Sequence, residues 1–260
     1  MVKISVIGAK GRMGAKIIDA ITYDSQTELV GAVETADSPF IGQEIVLGSG
    51  VKITGGLSGT ADKTDIYIDF SFHESTINNI KSIVKQGKGL IIGTTGFSDA
   101  EKNMIEEASK KIPIVFAPNM SIGVNVFFNI IKKAAAYLKD YDTEIIELHH
   151  NQKKDSPSGT ALMAAKCIAE STGKDKKNWI YGRKGMTNER PDKEICIHAV
   201  RAGDIIGEHT ALFAGNNERV EITHRAHTRD NFASGAVLAA KWLKGKPAGL
   251  YDMNDVLGLD

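Results

Sequence analysis

The sequence predicts an α/β chain: a parallel sheet flanked by helices, followed by a second domain of α+β type with a mixed sheet. Three observations predict it. Short β-branched runs alternate with helical stretches from residue 1 to about 118, a glycine turn falls directly between the first run and the first helix, and past Pro118 the pattern changes to alternating strands.

The runs Ile4–Ile7, Leu29–Val33, Ile66–Phe70, Leu90–Ile92 and Ile112–Phe116 are continuously apolar, as strands buried on both faces are. Between them, Met13–Thr22, Ser75–Lys85 and Asp99–Lys110 space their apolar residues at helical intervals. Repeated βαβ units of this kind make a Rossmann-type dinucleotide-binding domain. Beyond Pro118 a helix is expected from about Ser121 to Leu138, then a strand over Glu144–His149 and a helix over Ser158–Glu170 that opens on a serine cap. After a polar segment (173–190), Glu194–Val200, His209–Phe213 and Val220–His224 read as strands, with Gly215-Asn216 as a hairpin turn. An Ala-rich amphipathic helix, Phe232–Leu243, is expected to return to the first domain. The domain boundaries follow: 1–119 with 230–260 for the Rossmann-type domain, and 120–229 for the α+β domain.

Composition narrows the function. With 32 basic and 32 acidic residues the formal charge is zero, against the positive excess that nucleic acid or an acidic membrane selects. No run is long enough to span a bilayer, and the apolar start is too short for a signal peptide, so a cytoplasmic protein is expected. The two cysteines, Cys167 and Cys196, form no disulfide framework and no familiar zinc spacing; no metal is expected. Charge is uneven, however. Residues 149–190 carry nine basic and four acidic side chains, which reads either as a solvated loop around Lys174, Lys176 and Lys177 or as a partial receptor for a small anion.

The turn Gly8-Ala9-Lys10-Gly11-Arg12-Met13-Gly14 has the place and glycine content to bring a backbone against a pyrophosphate at a helix N-terminus, and Glu34 ends the second strand where a carboxylate can accept the adenosine ribose hydroxyls. A structural glycine turn with a solvent glutamate is the other reading. Gly93-Thr94-Thr95-Gly96 and Ala117-Pro118-Asn119-Met120 follow later strands, at the carboxyl ends where open α/β sheets bind ligands. The segment Glu147–Ala161 ends a strand in His149-His150, places Lys153 four residues after His149, and opens a helix at Ser158-Gly159-Thr160, so two imidazoles and an ammonium sit beside free helix amides. Adjacent histidines on a strand face opposite ways, which argues against zinc, and His224 with His227 is read as incidental.

On these strings, together with Asp69-Phe70-Ser71, Ala117–Asn125 and Arg201–Thr210, the chain resembles the bacterial dihydrodipicolinate (4-hydroxy-tetrahydrodipicolinate) reductases over essentially its whole length. The resemblance implies a homotetramer acting on a small cyclic dicarboxylate in the diaminopimelate route to lysine. It implies a cofactor loop at Gly8, Ala9, Lys10, Gly11, Arg12, Met13 and Gly14, a ribose acid at Glu34, and nicotinamide contacts at Gly93, Thr94, Thr95, Ala117, Pro118, Asn119 and Met120. His149 corresponds to the proton donor or acceptor, Lys153 to the general acid, and His150, Ser158, Gly159 and Thr160 to the substrate-carboxylate contacts. NADH is expected because Thr35 stands where some members carry a basic residue after the ribose acid, and NADPH is accepted if Lys10, Arg12 or Lys16 offsets the Glu34 charge. The rival expectations are a catalytically inactive dinucleotide sensor and another nicotinamide-dependent dehydrogenase, such as a semialdehyde dehydrogenase. The last needs a nucleophilic cysteine at a strand end, and the sequence offers none there.

Overall fold

In the computed structural model, which describes residues 1–259, the first apolar run forms β1 (Val2–Ile7) and the expected elements follow it. They are α1 (Arg12–Tyr23), β2 (Thr27–Val33), β4 (Ile66–Asp69), α2 (His73–Gln86), β5 (Gly89–Ile92), α3 (Asp99–Ser109) and β6 (Pro113–Phe116), joined after β2 by a short strand that the sequence does not predict, β3 (Ile53–Thr54). The chain then builds α4 (Ile122–Tyr137), β7 (Asp142–His149), α5 (Gly159–Thr172), β8 (Trp179–Ile180), β9 (Ile195–Arg201), β10 (Gly207–Gly215) and β11 (Glu218–Ala226). It closes with α6 (Asp230–Leu243), β12 (Gly249–Tyr251) and α7 (Met253–Leu257). Two compact units result, Met1–Ile122 with Arg229–Leu259 and Gly123–Thr228.

In the first unit seven parallel strands lie in the order β12-β6-β5-β4-β1-β2-β3, the doubly wound arrangement expected. Its strands are covered on both faces, so Ile4, Val6, Ile68, Leu90, Ile91, Ile92 and Ile114 are fully buried; each such side chain contributes about 1.5–3 kcal/mol relative to exposure. The Ala-rich helix α6 does return: Ala233, Ala236, Val237, Ala239, Ala240 and Leu243 join Ile17, Ile18 and Ile21 of α1 in one core. Gly235 has no room for a side chain, since a Cβ there would meet the carbonyl oxygen of Met120 at 1.7 Å.

The second unit carries a mixed five-stranded sheet, β11-β10-β7-β9-β8, in which β7, β9 and β8 run parallel and β10 is antiparallel to both β7 and β11. One face packs on α4 and α5 through Phe127, Ile131, Ala161, Ala164, Ala165 and Ile168 against Ile145, Ile197, Ala211 and Phe213. The strict alternation of buried and less buried residues along β7 shows that its two faces differ.

Two sequence expectations need correction. The hairpin between β10 and β11 turns at Asn216-Asn217, not Gly215-Asn216; Gly215 still pairs with Glu218, and Asn217 supplies the left-handed residue at φ 70°. Gly215 is required instead by packing, because a Cβ there would strike the Tyr141 ring at 2.6 Å. Lys174 does not belong to a solvated loop. It is 8% exposed, its Nζ donates to the carbonyl of Tyr141 and the hydroxyl of Thr143, and burial lowers its pKa; Lys176 and Lys177 are exposed as expected.

Candidate active site

The glycine turn after β1 is built for close approach. Gly8 adopts φ +75°, and a Cβ at Gly14 would lie 2.1 Å from the Gly8 carbonyl oxygen, so only glycine lets α1 start against the turn. The Gly11 N-cap has no side-chain cap, and the first turn of α1 holds no acid but does hold Arg12, leaving a positive helix end. Glu34, one residue past β2, accepts the backbone N–H of Lys10 at 2.7 Å and so overlooks the turn. Lys10 Nζ sits 4.9 Å from the Phe40 ring centroid, and Lys16 pairs with Asp230 at 3.1 Å.

The turns after β4, β5 and β6 end side by side. Asp69, fully buried, accepts Ser71 N (2.9 Å), Ser71 Oγ (2.6 Å) and Thr94 Oγ1 (3.3 Å) on one carboxylate oxygen, so it ties the β4 and β5 turns together. Burial raises its pKa, and these hydrogen bonds oppose the rise. A Cβ at Gly93 would meet the Phe70 ring at 2.1 Å, so the second turn lies flat on the first. Of the expected nicotinamide contacts, Thr95 and Pro118 are exposed and Gly93 and Asn119 half-buried. Thr94, Ala117 and Met120 are buried, which leaves Met120 only its main chain to offer a ligand.

In the second unit, Glu147 and His149 lie two residues apart on β7 and therefore share a face. Glu147, 0% exposed, accepts His149 Nδ1–H at 2.5 Å, two Arg201 N–H groups at 2.9 Å each, and the backbone N–H of Ser158 at 2.9 Å. Burial alone would push its carboxyl up; the bonds from His149, Arg201 and Ser158 outweigh that and hold it at about 2. Ser158 caps α5 through Ala161 N, and its Oγ lies 3.0 Å from Nε2 of His209. His209, edge-on to His149 at 5.1 Å, is pushed down to about 3, chiefly by burial, so it is neutral. Lys153 pairs with Asp155 at 2.9 Å. His150 is half-buried and Gly159 exposed, while Thr160 lies in the first turn of α5.

The structure thus gathers His149 and Ser158 around a group that sequence reasoning missed: Glu147, Arg201 and His209. The Glu-x-His spacing on a strand was the available signal for Glu147. Arg201 and His209 arrive from β9 and β10, and only strand pairing brings them in.

The positive excess of 149–190 is largely matched within this unit. Arg183 and Arg190 both bind Glu144 and Glu194, Arg190 adds Asp142, and Glu144 is held at about 2 by these partners and His198 against the rise from burial. Strand pairing also assembles Glu144, Cys196 and His198 with ligand atoms within 4.8 Å, a cluster the cysteine spacing did not suggest; the two guanidinium groups on Glu144 oppose a cation there. Cys167 and Cys196 both have thiols raised by burial, the opposite of an activated nucleophile.

Comparison with known proteins gives the same picture. The family model for the N-terminus of dihydrodipicolinate reductase matches residues 2–120, and that for its C-terminus matches 123–257. The chain is 48% identical to 4-hydroxy-tetrahydrodipicolinate reductases of Syntrophotalea carbinolica and Geotalea daltonii, each alignment covering 100% of both chains. Dipicolinate-bound dihydrodipicolinate reductase from Paenisporosarcina sp. TG-14 superposes with a TM-score of 0.81 at 26% identity over 97% of each chain. An aspartate semialdehyde dehydrogenase of Vibrio cholerae shares the fold alone, at 10% identity and a TM-score of 0.58 over 94% of this chain and 98% of that one. Spanned from residue 2 to residue 257 by the two halves of one family, the chain belongs to the dihydrodipicolinate reductases.

Proposed function

We propose that this protein reduces 4-hydroxy-tetrahydrodipicolinate to tetrahydrodipicolinate, consuming one NAD(P)H and one proton and releasing water, in the diaminopimelate route to lysine. The observation that carries the reading is the Glu147–Ser158 cluster, set at the start of α5 in a chain 48% identical to reductases of that name.

The substrate is a cyclic imine with two carboxylates. A bound nicotinamide would supply the hydride to ring carbon 4. That carbon becomes an acceptor once the 4-hydroxyl and a neighbouring C–H proton have left as water and the new C=C bond is conjugated with the imine. Gly8–Gly14, with Glu34 on the ribose, holds the dinucleotide, and Gly93, Thr94, Thr95, Ala117, Pro118, Asn119 and Met120 line its nicotinamide end. His150, Gly159 and Thr160 receive a substrate carboxylate at the α5 start. Because the Ser158 hydroxyl already caps α5 and meets His209, Ser158 shapes this turn and leaves Gly159 and Thr160 to face the anion. Lys153 pairs with an anionic group and donates a proton as the hydroxyl leaves; His149 supplies or relays a proton through its ring.

NADH is the preferred donor. Glu34 repels a 2′-phosphate, Thr35 offers no cation, Lys16 is engaged by Asp230 and Lys10 lies over Phe40; exposed Arg12 at the start of α1 is the cation through which NADPH is accepted. The protein works as a cytoplasmic homotetramer without metal, nucleic acid or membrane; among the described residues no helix is long and apolar enough to cross a bilayer. The rival readings lose support because a sensor has no need of intact His149 and Lys153, and a semialdehyde dehydrogenase needs a thiolate that neither half-buried Cys167 nor buried Cys196 supplies.

The test is NAD(P)H oxidation with substrate freshly made by the preceding synthase. The wild type turns over, with a lower KM for NADH than for NADPH, and Lys153→Ala and His149→Ala lose most of kcat. No wild-type turnover, or undiminished turnover in both variants, refutes the function; an NADPH preference above about a hundredfold refutes the cofactor choice.

A further inference from the structure

Glu147 is the junction of everything that moves a proton or binds an anion in the second unit. One oxygen, Oε2, accepts His149 Nδ1–H and Arg201 Nη1–H; the other, Oε1, accepts Arg201 Nη2–H and Ser158 N–H. Arg201 also donates from Nη2 to the Asp155 carbonyl at 2.8 Å, and the Asp155 side chain holds Lys153 at 2.9 Å. Register explains the meeting. Arg201 ends β9 directly beside His149 on the paired strand, and Glu147 precedes His149 by one full pleat. A fully buried carboxylate costs several kcal/mol unless every lone pair is used, and here four donors use them.

We propose that Glu147, clamped by Arg201, is a positioning residue that fixes His149 with its proton on Nδ1, so that Nε2 is the atom that exchanges a proton with substrate. The same carboxylate keeps the imidazole, the α5 cap and, through Arg201, the Lys153 loop in one register. This rests on the reading of His149 as the proton-handling group.

A separate observation bears on Nε2. A Cβ at Gly207, the first residue of β10, would lie 3.1 Å from His149 Nε2 and 3.4 Å from Cδ2, closer than side chains ordinarily approach. No positive φ requires glycine there. Glycine at 207 leaves uncovered the one ring nitrogen that Glu147 does not occupy, and a methyl would cover it.

The experiment uses the full chain. Long-range imidazole proton–nitrogen spectra at alkaline pH, with the His149 signal assigned by its loss in His149→Gln, report which nitrogen carries the proton. The wild type is expected to show it on Nδ1. In Glu147→Gln the preference disappears and kcat falls about tenfold to a hundredfold, part of what a positioned acid–base group contributes, while NADH affinity is unchanged. Arg201→Lys, which cannot bridge both oxygens, falls between the two. A folded Glu147→Gln with wild-type kcat, or a wild-type spectrum with the proton on Nε2, overturns the proposal. A purely structural role lowers Tm without moving the spectrum, and that result also overturns it. If Glu147→Gln does not fold, the wild-type spectrum and Gly207→Ala decide: Nδ1–H together with a lowered kcat at unchanged NADH affinity supports the proposal, and unchanged kcat overturns it. Failure of the underlying reading is distinct, because His149→Ala then keeps its turnover.

Discussion

Replacing Gly14 with alanine tests the cofactor turn at the point where the geometry is tightest. On the existing backbone the new methyl lies 2.1 Å from the Gly8 carbonyl oxygen and 2.8 Å from both the carbonyl carbon and oxygen of Ala9. Ordinary carbon contacts begin near about 3.5 Å, so the start of α1 must withdraw from β1 by more than about 1 Å. Overpacking of this kind costs about 1–3 kcal/mol, and the withdrawal carries the α1 amides away from the pyrophosphate by the same distance. At about 1.4 kcal/mol per factor of ten, NADH affinity drops roughly tenfold to a hundredfold, with Tm lowered as well. Gly11→Ala is the graded control. Its Cβ would sit 3.1 Å from the same oxygen at φ −67°, which alanine tolerates, so the loss is less than about tenfold. Fluorescence titration with NADH measures both variants. Wild-type affinity in Gly14→Ala, or a larger loss in Gly11→Ala, refutes the account of the turn.

Acid weakens the protein in two stages. His209, depressed to about 3, contributes stability that is complete above its ordinary value near about 6.5 and is lost as pH falls below it; Glu144 and Glu147, held at about 2, contribute stability lost as pH falls through about 4 toward 2. Tm followed by calorimetry therefore declines from about pH 6.5 downward, and His209→Gln flattens the upper stage; a Tm maximum near about pH 4 contradicts this. Arg190→Ala leaves Glu144 with Arg183 and His198 but strands the carbonyls of Thr143 and Glu194, lowering urea stability by about 1–3 kcal/mol; a change below about 0.5 kcal/mol counts against a structural role for the positive segment. Asp69 has a raised pKa, so its contribution is present below its ordinary value and lost as pH rises; Asp69→Asn raises Tm relative to wild type at pH 8 more than at pH 4, and the reverse order refutes the assignment.

What could be read in advance was what periodicity encodes. The continuous runs of the parallel strands and the helical spacing of α1, α2, α3 and α6 announce themselves within windows of a dozen residues. By contrast, β3 and β12 span two and three residues at or near the sheet edge, too few to show any period. The fate of the basic segment was unreadable for another reason: Arg183 and Arg190 meet Glu144 across 39 and 46 residues of chain, and a local count sees only the excess. The site divides in the same way. His149, Lys153 and Ser158 lie in one string, whereas Arg201 and His209 stand 54 and 51 residues from their partners Glu147 and Ser158. Gly215 shows a third limit, since glycine that serves packing against Tyr141 looks in sequence like glycine that serves a turn.

The return of the chain into its first sheet has a kinetic consequence. β12 completes the sheet edge beside β6, and α6 supplies six apolar residues to the core around α1, yet both are made after residues 123–228. During synthesis the first unit therefore waits, with Ile17, Ile18 and Ile21 lacking their α6 partners, until residues 123–228 have been made. It can complete its core only when residues 229–259 arrive, after the whole of the inserted unit has been synthesised. A chain stopped at residue 228 would hold six of the seven strands of the first sheet but none of α6, and that form, with the apolar face of α1 open, is the one most exposed to aggregation and to chaperones.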